Sequence, residues 1–476
     1  VKKPNHLRLT WQQYRFSSAY LFLATCCMLL LTACAGNAPV PIMLRTEYIS
    51  ISPIVAPPVV IVATATPLHY TLPTDSRLQS LFAAIQSDQL VFVIDRLSNM
   101  GTRHVLSAGF DPMQDIGISA ARNFLLEQFR SLPALIPLTI WTQAVSVRLN
   151  GVTATSDNVI AVAQGTDVNA GVIVLGAHYD TLNASDINSA DLSAPGANAN
   201  GSGVAALLEI ARLVAAKPLR ATVIFAAFTA EETGRQGSSA FIRSYLQSQI
   251  PAIVPRAMIN LDTLGANLPT GTTPDSIDDD SLVLPGLIRV FSADPNNSPS
   301  RQLARQIQLS AAPYPNLPRV IVQSSAERIG RFGDQQPFSA AGIPATRLIE
   351  GVEDPSRQRS ATDTLDTIRP AYLIGATQVA LTALCSLADG LPAPQNTDWQ
   401  LADSLLRWTP VADAAGYVVT LRHTDSAAIE QMIVVGTPPV FQWTGLAHYD
   451  FAAVAAIDRF GRIGALGREV ALARQF

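Results

Sequence analysis

The chain has 476 residues, enough for two or three domains with a substantial buried core. Hydrophobic residues make up 48% and charged residues 15%, which excludes a largely disordered chain. Formal net charge is −4 and no basic run follows the first few residues, so no nucleic-acid partner is expected.

The first feature in chain order is a basic start (Lys2, Lys3, Arg8, Arg15) followed by an apolar stretch from about Ala19 to Leu31. It ends in Leu31-Thr32-Ala33-Cys34, which resembles the lipobox of bacterial lipoproteins. There, small residues let a peptidase cut before the cysteine, whose thiol is acylated. The resemblance implies a lipoprotein signal peptide over residues 1–34, lipidation of Cys34, and an extracytoplasmic protein anchored to a membrane of the bacterial cell envelope. The alternative is an uncleaved membrane helix, for which the apolar stretch is short against the roughly 20 residues of a span. Residues 35–75 carry Pro39, Pro41, Pro53, Pro57, Pro58, Pro67 and Pro73, the composition of an extended tether. Beyond Cys26, Cys27 and Cys34 only Cys385 remains, inside the helical pattern VALTALCSLA. It reads as a small buried hydrophobe, so neither a disulfide framework nor a cysteine metal site is expected.

Residues 76–392 read as one α/β domain. In GISAARNFLLEQFRSL, Ile118, Ala121, Leu125 and Phe129 fall on one helical face. GVIVLGAHYD reads as a buried strand, VAALLEIARLVAA as a helix stopped by Pro218, and ATVIFAAF and RAMINLDTLG as further strands; a last helix runs from Pro370 to about Ala388. Near-continuous apolar strands alternating with helices predict a mostly parallel twisted sheet with helices on both faces. After the linker GLPAPQNTD, residues 396–476 change character. Leu406, Trp408, Val419 and Leu421 follow a period of two, which predicts a small all-β sandwich. With Trp408 and Tyr417 on neighbouring strands, this segment resembles a fibronectin type III domain.

Motifs spread over residues 76–390 share one likeness. They are GTRH at Gly101, GAHYDT at Gly176, PGANANGSG at Pro195, FTAEETGRQGS at Phe228, MINLDTLG at Met258, and DQQPFSAAGIPATRLIE followed by RSATDTLDTI. In this order they resemble the co-catalytic zinc aminopeptidases, which include bacterial leucine aminopeptidases and aminopeptidase Y. By the resemblance His178, Glu232 and Asp262 stand at zinc-ligand positions, Glu231 at that of the general base, and Asp180 at that of the residue orienting the His178 imidazole. Taken alone, adjacent Glu231 and Glu232 would also suit the N-terminus of a following helix.

Two positions depart from the pattern. The family carries a metal-bridging Asp directly before Asn-Gly-Ser-Gly, and here Asn200-Gly201-Ser202-Gly203 follows Ala199. The family's last ligand is a His shortly before Asp-Thr, and counting back from Asp363-Thr364 gives Arg359. No other His lies between His178 and His423. Two dications about 3.5–4 Å apart repel by roughly 17–19 kcal/mol at an effective dielectric of 20, and Ala199 offsets none of it. The single-zinc glutaminyl cyclases of this fold would need two of the same lost positions. The expectation is therefore a degenerate centre holding no zinc or at most one weakly bound zinc, in a protein that binds peptides or a protein partner. Two alternatives stand beside it: an active exopeptidase using one zinc at His178 and Asp262, and a hydrolase using the cleft without metal. Arg359 is expected to pair with Glu232, and with Glu231 if the fork reaches both. The run Asp278, Asp279, Asp280 reads as a solvated loop, with calcium binding as the alternative.

Overall fold

The computed structural model describes residues 71–110, 114–249, 252–265 and 286–472. Cys34, nearly all of the expected tether and the run Asp278–Asp280 lie outside the described residues.

The central domain begins with three helices, α1 (Ser76–Ala83), α2 (Ser87–Ser98) and α3 (Gly117–Ser131), and a long hairpin, β1 (Thr139–Leu149) and β2 (Val152–Ala163). It continues through β3 (Val172–His178), α4 (Gly203–Ala216), β4 (Thr222–Phe228), α5 (Gln236–Phe241) and β5 (Ala257–Leu261). The second half comprises β6 (Leu287–Ser292), α6 (Pro299–Ala311), β7 (Arg319–Val322), α7 (Gln335–Ala340), β8 (Ala345–Glu350) and α8 (Pro370–Asp389). The strands form one sheet in the order β1-β2-β4-β3-β5-β8-β6-β7. The run β4-β3-β5-β8 at its middle is parallel, as predicted, while β1, β2 and the β6–β8 pairing are antiparallel.

Both faces of that middle are covered, which is why its strands read as unbroken apolar runs. Ile173 and Leu175 of β3 pack in one cluster with α2, α4 and α8, whereas Val174 between them joins Phe241, Ile242 and Phe338 on the other face. The predicted face of α3 is buried at Ile118, Ala121, Leu125 and Phe129. Cys385 is fully buried in α8 as a small apolar group.

The C-terminal segment folds into small antiparallel sheets. Its strands are β9 (Asp398–Gln400), β10 (Leu405–Arg407), β11 (Ala414–Arg422), β12 (Gln431–Val435), β13 (Val440–Gln442), β14 (Phe451–Asp458), β15 (Ile463–Leu466) and β16 (Val470–Ala471). β13-β10-β9 make one sheet and β12-β11-β14-β15 the core of the other, with β16 pairing on β14. Leu406, Trp408, Val419 and Leu421 share one core, with Trp408 edge-on to Tyr417 at 5.1 Å between ring centroids.

This segment is docked on α6 and α8. Leu309 of α6 enters a cluster with Val418, Ile429, Ala455, Ile457 and Ile463. Arg305 Nε donates to the Ala427 carbonyl at 2.9 Å, and Gln306 Nε2 donates to Ser386 Oγ at 3.0 Å and to the Gly464 carbonyl at 3.1 Å. Arg462 ties three parts of the chain together, pairing with Asp75 just ahead of α1 and with Asp389 at the end of α8.

Candidate metal centre

Three adjacent parallel strands end side by side, and the residues singled out by sequence sit at or just past their carboxyl ends. His178 is the last residue of β3, Asp262 follows β5 directly, and Glu231 and Glu232 come after β4 by way of Thr229 and Ala230. This edge is where open α/β sheets bind ligands. Two non-glycine residues beside the carboxylates take left-handed backbone angles, Ala230 at φ 57° and Thr263 at φ 63°. Each such residue costs about 1–3 kcal/mol, and such strain clusters at functional sites.

His178 is buried, with Nε2 3.5 Å from Asp262 Oδ1 and 4.0 Å from Glu231 Oε2. Its Nδ1 lies 3.1 Å from the Asp180 backbone carbonyl. The resemblance implied that the Asp180 carboxylate orients this ring. That carboxylate stands 3.5 Å from Nδ1, and its two oxygens accept the backbone N–H groups of Glu231 and Glu232, each at 3.0 Å. Asp180 thus shapes the glutamate turn, while its carbonyl and its carboxylate both face Nδ1 of the imidazole. Burial disfavours a charged imidazole here, but Glu231, Asp180 and Asp262 outweigh it and hold His178 well above its ordinary pKa. Burial, with Glu232 and Asp262 adding repulsion, pushes the Glu231 carboxyl well above the usual range.

The turn carrying Ala199 is fixed from three sides. Asp363 accepts the N–H groups of Asn198 and Ala199 at 2.9 Å each, and Asn198 Nδ2 donates to both Glu350 oxygens at 3.0 Å. Asn200 Oδ1 accepts the Thr263 N–H at 2.9 Å while its Nδ2 donates to the Leu261 carbonyl at 2.9 Å, sewing the turn to the end of β5. Behind it the buried Arg103 donates to the carbonyls of Tyr179, Leu97 and Gly196 at 2.7, 3.0 and 2.9 Å. Gly196 is required there: its φ is +56°, and a Cβ would lie 2.3 Å from Thr181 Cγ2. These residues build the turn whatever side chain position 199 carries.

Arg359 occupies the other changed position, in a turn at φ 57°. Its Nη2 lies 2.6 Å from Glu232 Oε2, with the guanidinium side chain 34% exposed and the glutamate side chain 5% exposed. No N–H points squarely at that oxygen, so the contact is one of opposite charges rather than an aligned hydrogen bond. The expected pairing with Glu232 is present, and no ion pair joins Arg359 to Glu231 among the described residues.

Two members of the cluster escaped the sequence reading. Arg347, in the fully buried strand β8, places Nε 3.0 Å from Asp262 Oδ2. Its Nη1 donates to Glu327 Oε2 and to the Phe332 carbonyl, both at 2.9 Å. Burial works against the Asp262 charge, but Arg347 and His178 outweigh it and hold this carboxyl far below the usual range. An arginine inside an apolar strand was the available signal, since a buried guanidinium demands carboxylate partners. Asp334 is fully buried and neither carboxylate oxygen has an aligned hydrogen bond. Burial lifts it to about 7 against the pull of His178 and Ser238. It heads the motif DQQPFSAAGIPATRLIE, where an acid before a short helix looks like an ordinary cap.

These residues do not fit a pair of zinc ions. The bridging position is a methyl group, and a guanidinium stands where the second metal would need its nitrogen ligand. One position is partly preserved. His178 Nε2 and Asp262 Oδ1 keep a separation close to the roughly 3.3 Å between ligands on one tetrahedral zinc. Ligand atoms of His178, Glu231 and Glu232 also lie within 4.8 Å of one another.

Comparison with known proteins gives three findings. Residues 158–384 match the family model described as peptidase family M28. A probable zinc metalloprotease of Pyricularia oryzae is 28% identical over 414 residues, 77% of this chain and 79% of the relative. Another from Pyrenophora tritici-repentis is 27% identical over 457 residues, 86% and 90% of the two chains. Among solved structures, the LapA aminopeptidase of Legionella pneumophila superposes with a TM-score of 0.50 at 18% identity, covering 69% of this chain and 78% of that one. At that identity the likeness speaks for the fold alone.

Proposed function

We propose that the central domain, whose residues 158–384 match the model of peptidase family M28, carries a centre of the zinc-peptidase type that has become an internal ion-pair cluster and binds peptides without cutting them. The observation that carries this reading is the Arg359–Glu232 pair at 2.6 Å. A permanent cation stands there in place of a neutral metal ligand, and it neutralises a carboxylate that a zinc site would need free. With Ala199 unable to bridge two metals, no source of an activated water remains at the second position.

The test is metal content of the purified protein together with hydrolysis of aminoacyl-anilides. Well under two zinc ions per chain and no zinc-dependent hydrolysis are expected. Two tightly held zincs, or turnover that chelator abolishes and zinc restores, would return the chain to the active peptidases. The 3.5 Å spacing of His178 and Asp262 favours a second reading, an exopeptidase with one weakly held zinc. It predicts turnover saturating with a single equivalent of metal.

The location belongs to the same proposal. Lipid on Cys34 would hold the protein outside the cytoplasm, with the C-terminal sheets, fibronectin type III-like in pattern, offering a second binding surface. Fatty-acid labelling that persists in Cys34→Ala would rule out the anchor.

A further inference from the structure

The central sheet ends on two very different edges. β7 spans four residues and opens on the exposed Arg319, the short and charged form that keeps an edge from pairing. β1 spans eleven residues and pairs with β2 in unbroken register. From Thr139 to Val147 it holds neither a charge nor a proline. Which backbone groups this edge offers follows from its turn. Asn150 and Gly151 lie at φ 46° and 87°, the two left-handed residues of a two-residue hairpin. Such a turn aims the N–H and C=O of Leu149, and of each alternate residue before it, at β2. Those of Arg148, Ser146, Ala144, Thr142 and Ile140 therefore point away. Arg148 bears out the alternation: the side-chain amide of Gln236 takes both its N–H and its C=O, at 2.9 Å each. Gln236 stands in for one residue of a neighbouring strand. The four outward positions before it have no such backbone partner among the described residues, and Thr142, Ala144 and Ser146 are exposed.

We propose that this edge pairs with a second copy of the same chain, β1 against β1 antiparallel about a two-fold axis, giving one sheet continuous across the dimer. The register that uses every outward group sets Ile140 against Ser146 and Thr142 against Ala144, with about eight backbone hydrogen bonds. Gln143 then faces its own counterpart. Self-pairing suits this strand for two reasons. A two-fold axis sets the same segment against itself, which a charged edge could not tolerate and this uncharged one can. Antiparallel pairing also lays the chain entering one β1 beside the turn leaving the other. Large apolar side chains stand exposed at both places, Ile136 before the strand and Val152 after the turn. A second copy covers both ends at once. Because the axis uses the one long edge of each central sheet, assembly stops at two copies.

Sedimentation equilibrium of the full chain between about 1 and 100 µM tests it, with hydrogen exchange followed in β1 and β7. The expected result is a monomer–dimer equilibrium in which exchange slows with concentration in β1 and stays constant in β7. Ala144→Lys, at an exposed position, sets two ammonium groups on diagonal positions across the axis. It should raise the dissociation constant about tenfold or more while leaving the melting temperature of the dilute protein unchanged. Thr142→Pro removes an outward N–H that β2 does not use, and should weaken the dimer by at least about as much. A monomer at every concentration, or a dimer that either variant leaves intact, would overturn the proposal. A monomer whose β1 amides are protected at all concentrations would show the edge covered by something other than a second copy, and would overturn it too. So would assembly that continues past two copies.

Discussion

The half of the centre borne on strand ends and the half borne on connecting turns have fared differently. His178, Glu231, Glu232 and Asp262 follow β3, β4 and β5, whose side chains are buried on both faces of the sheet. Ala199 and Arg359 sit on turns, at positions where the resemblance implies an Asp and a His. A turn held by its backbone and by Asn198, Asn200 and Asp363 needs nothing from the side chain of residue 199. Acids buried at the strand ends call for cationic partners, because a buried lone charge is costly. Two of them have internal cations, Arg347 at Asp262 and Arg359 at Glu232. On the proposed reading the charge of the centre is balanced by arginines, with the backbone scarcely involved.

The sharpest way to break this contrast is Arg347→Leu. It strands Asp262 and Glu327 together in a buried site, and should cost about 3–5 kcal/mol in urea unfolding. A loss below about 1 kcal/mol would show that the strand-end acids need no internal cation. The next effect is pH-dependent. Asp334 titrates near 7 in the folded protein, against about 3.9 unfolded. Between those values the unfolded chain has released its proton while the folded one retains it, so stability falls as pH rises. Asp334→Asn should remove that decline, the variant gaining on the order of 2 kcal/mol relative to the parent between pH 4 and pH 7. Parallel stability curves for the two proteins would exclude a buried protonated acid.

Arg359→Gln should cost less, about 1–2 kcal/mol, because its guanidinium is one-third exposed and partly screened. The smallest change is expected from chelator, which should move the melting temperature of the parent by no more than about 1 °C. Ala199→Asp combined with Arg359→His should make that temperature rise with added zinc, and Arg359→His alone should not. A chelator-sensitive parent would place metal back in the strand-end half.

Most of this was readable in advance, for reasons that differ along the chain. Strands buried on both faces write themselves as apolar runs, so β3, β4 and β5 and the acids after them stood out. Arg359 was visible because Asp363-Thr364 fixes the count. Arg347 and Asp334 were not, since their significance lies in partners far along the chain, Glu327 and Asp262 for one and His178 for the other. Asp180 does more than the spacing suggests, since its carbonyl as well as its carboxylate faces the His178 ring. The antiparallel β6–β8 pairing also left no mark on the sequence, because a strand's direction depends on the path of the connection before it.

Arg462 has a mechanical consequence. It grips Asp75 on the chain entering α1 and Asp389 on the chain leaving α8, while belonging itself to the C-terminal sheets. Tension arriving along the backbone from the N-terminal side meets both folded parts at this knot, beside which Arg77 of α1 pairs with Asp458 of β14. It is shared between them before α1 can peel away. Pulled from that end, the protein should give way in a single event, the C-terminal sheets detaching and α1 unravelling together.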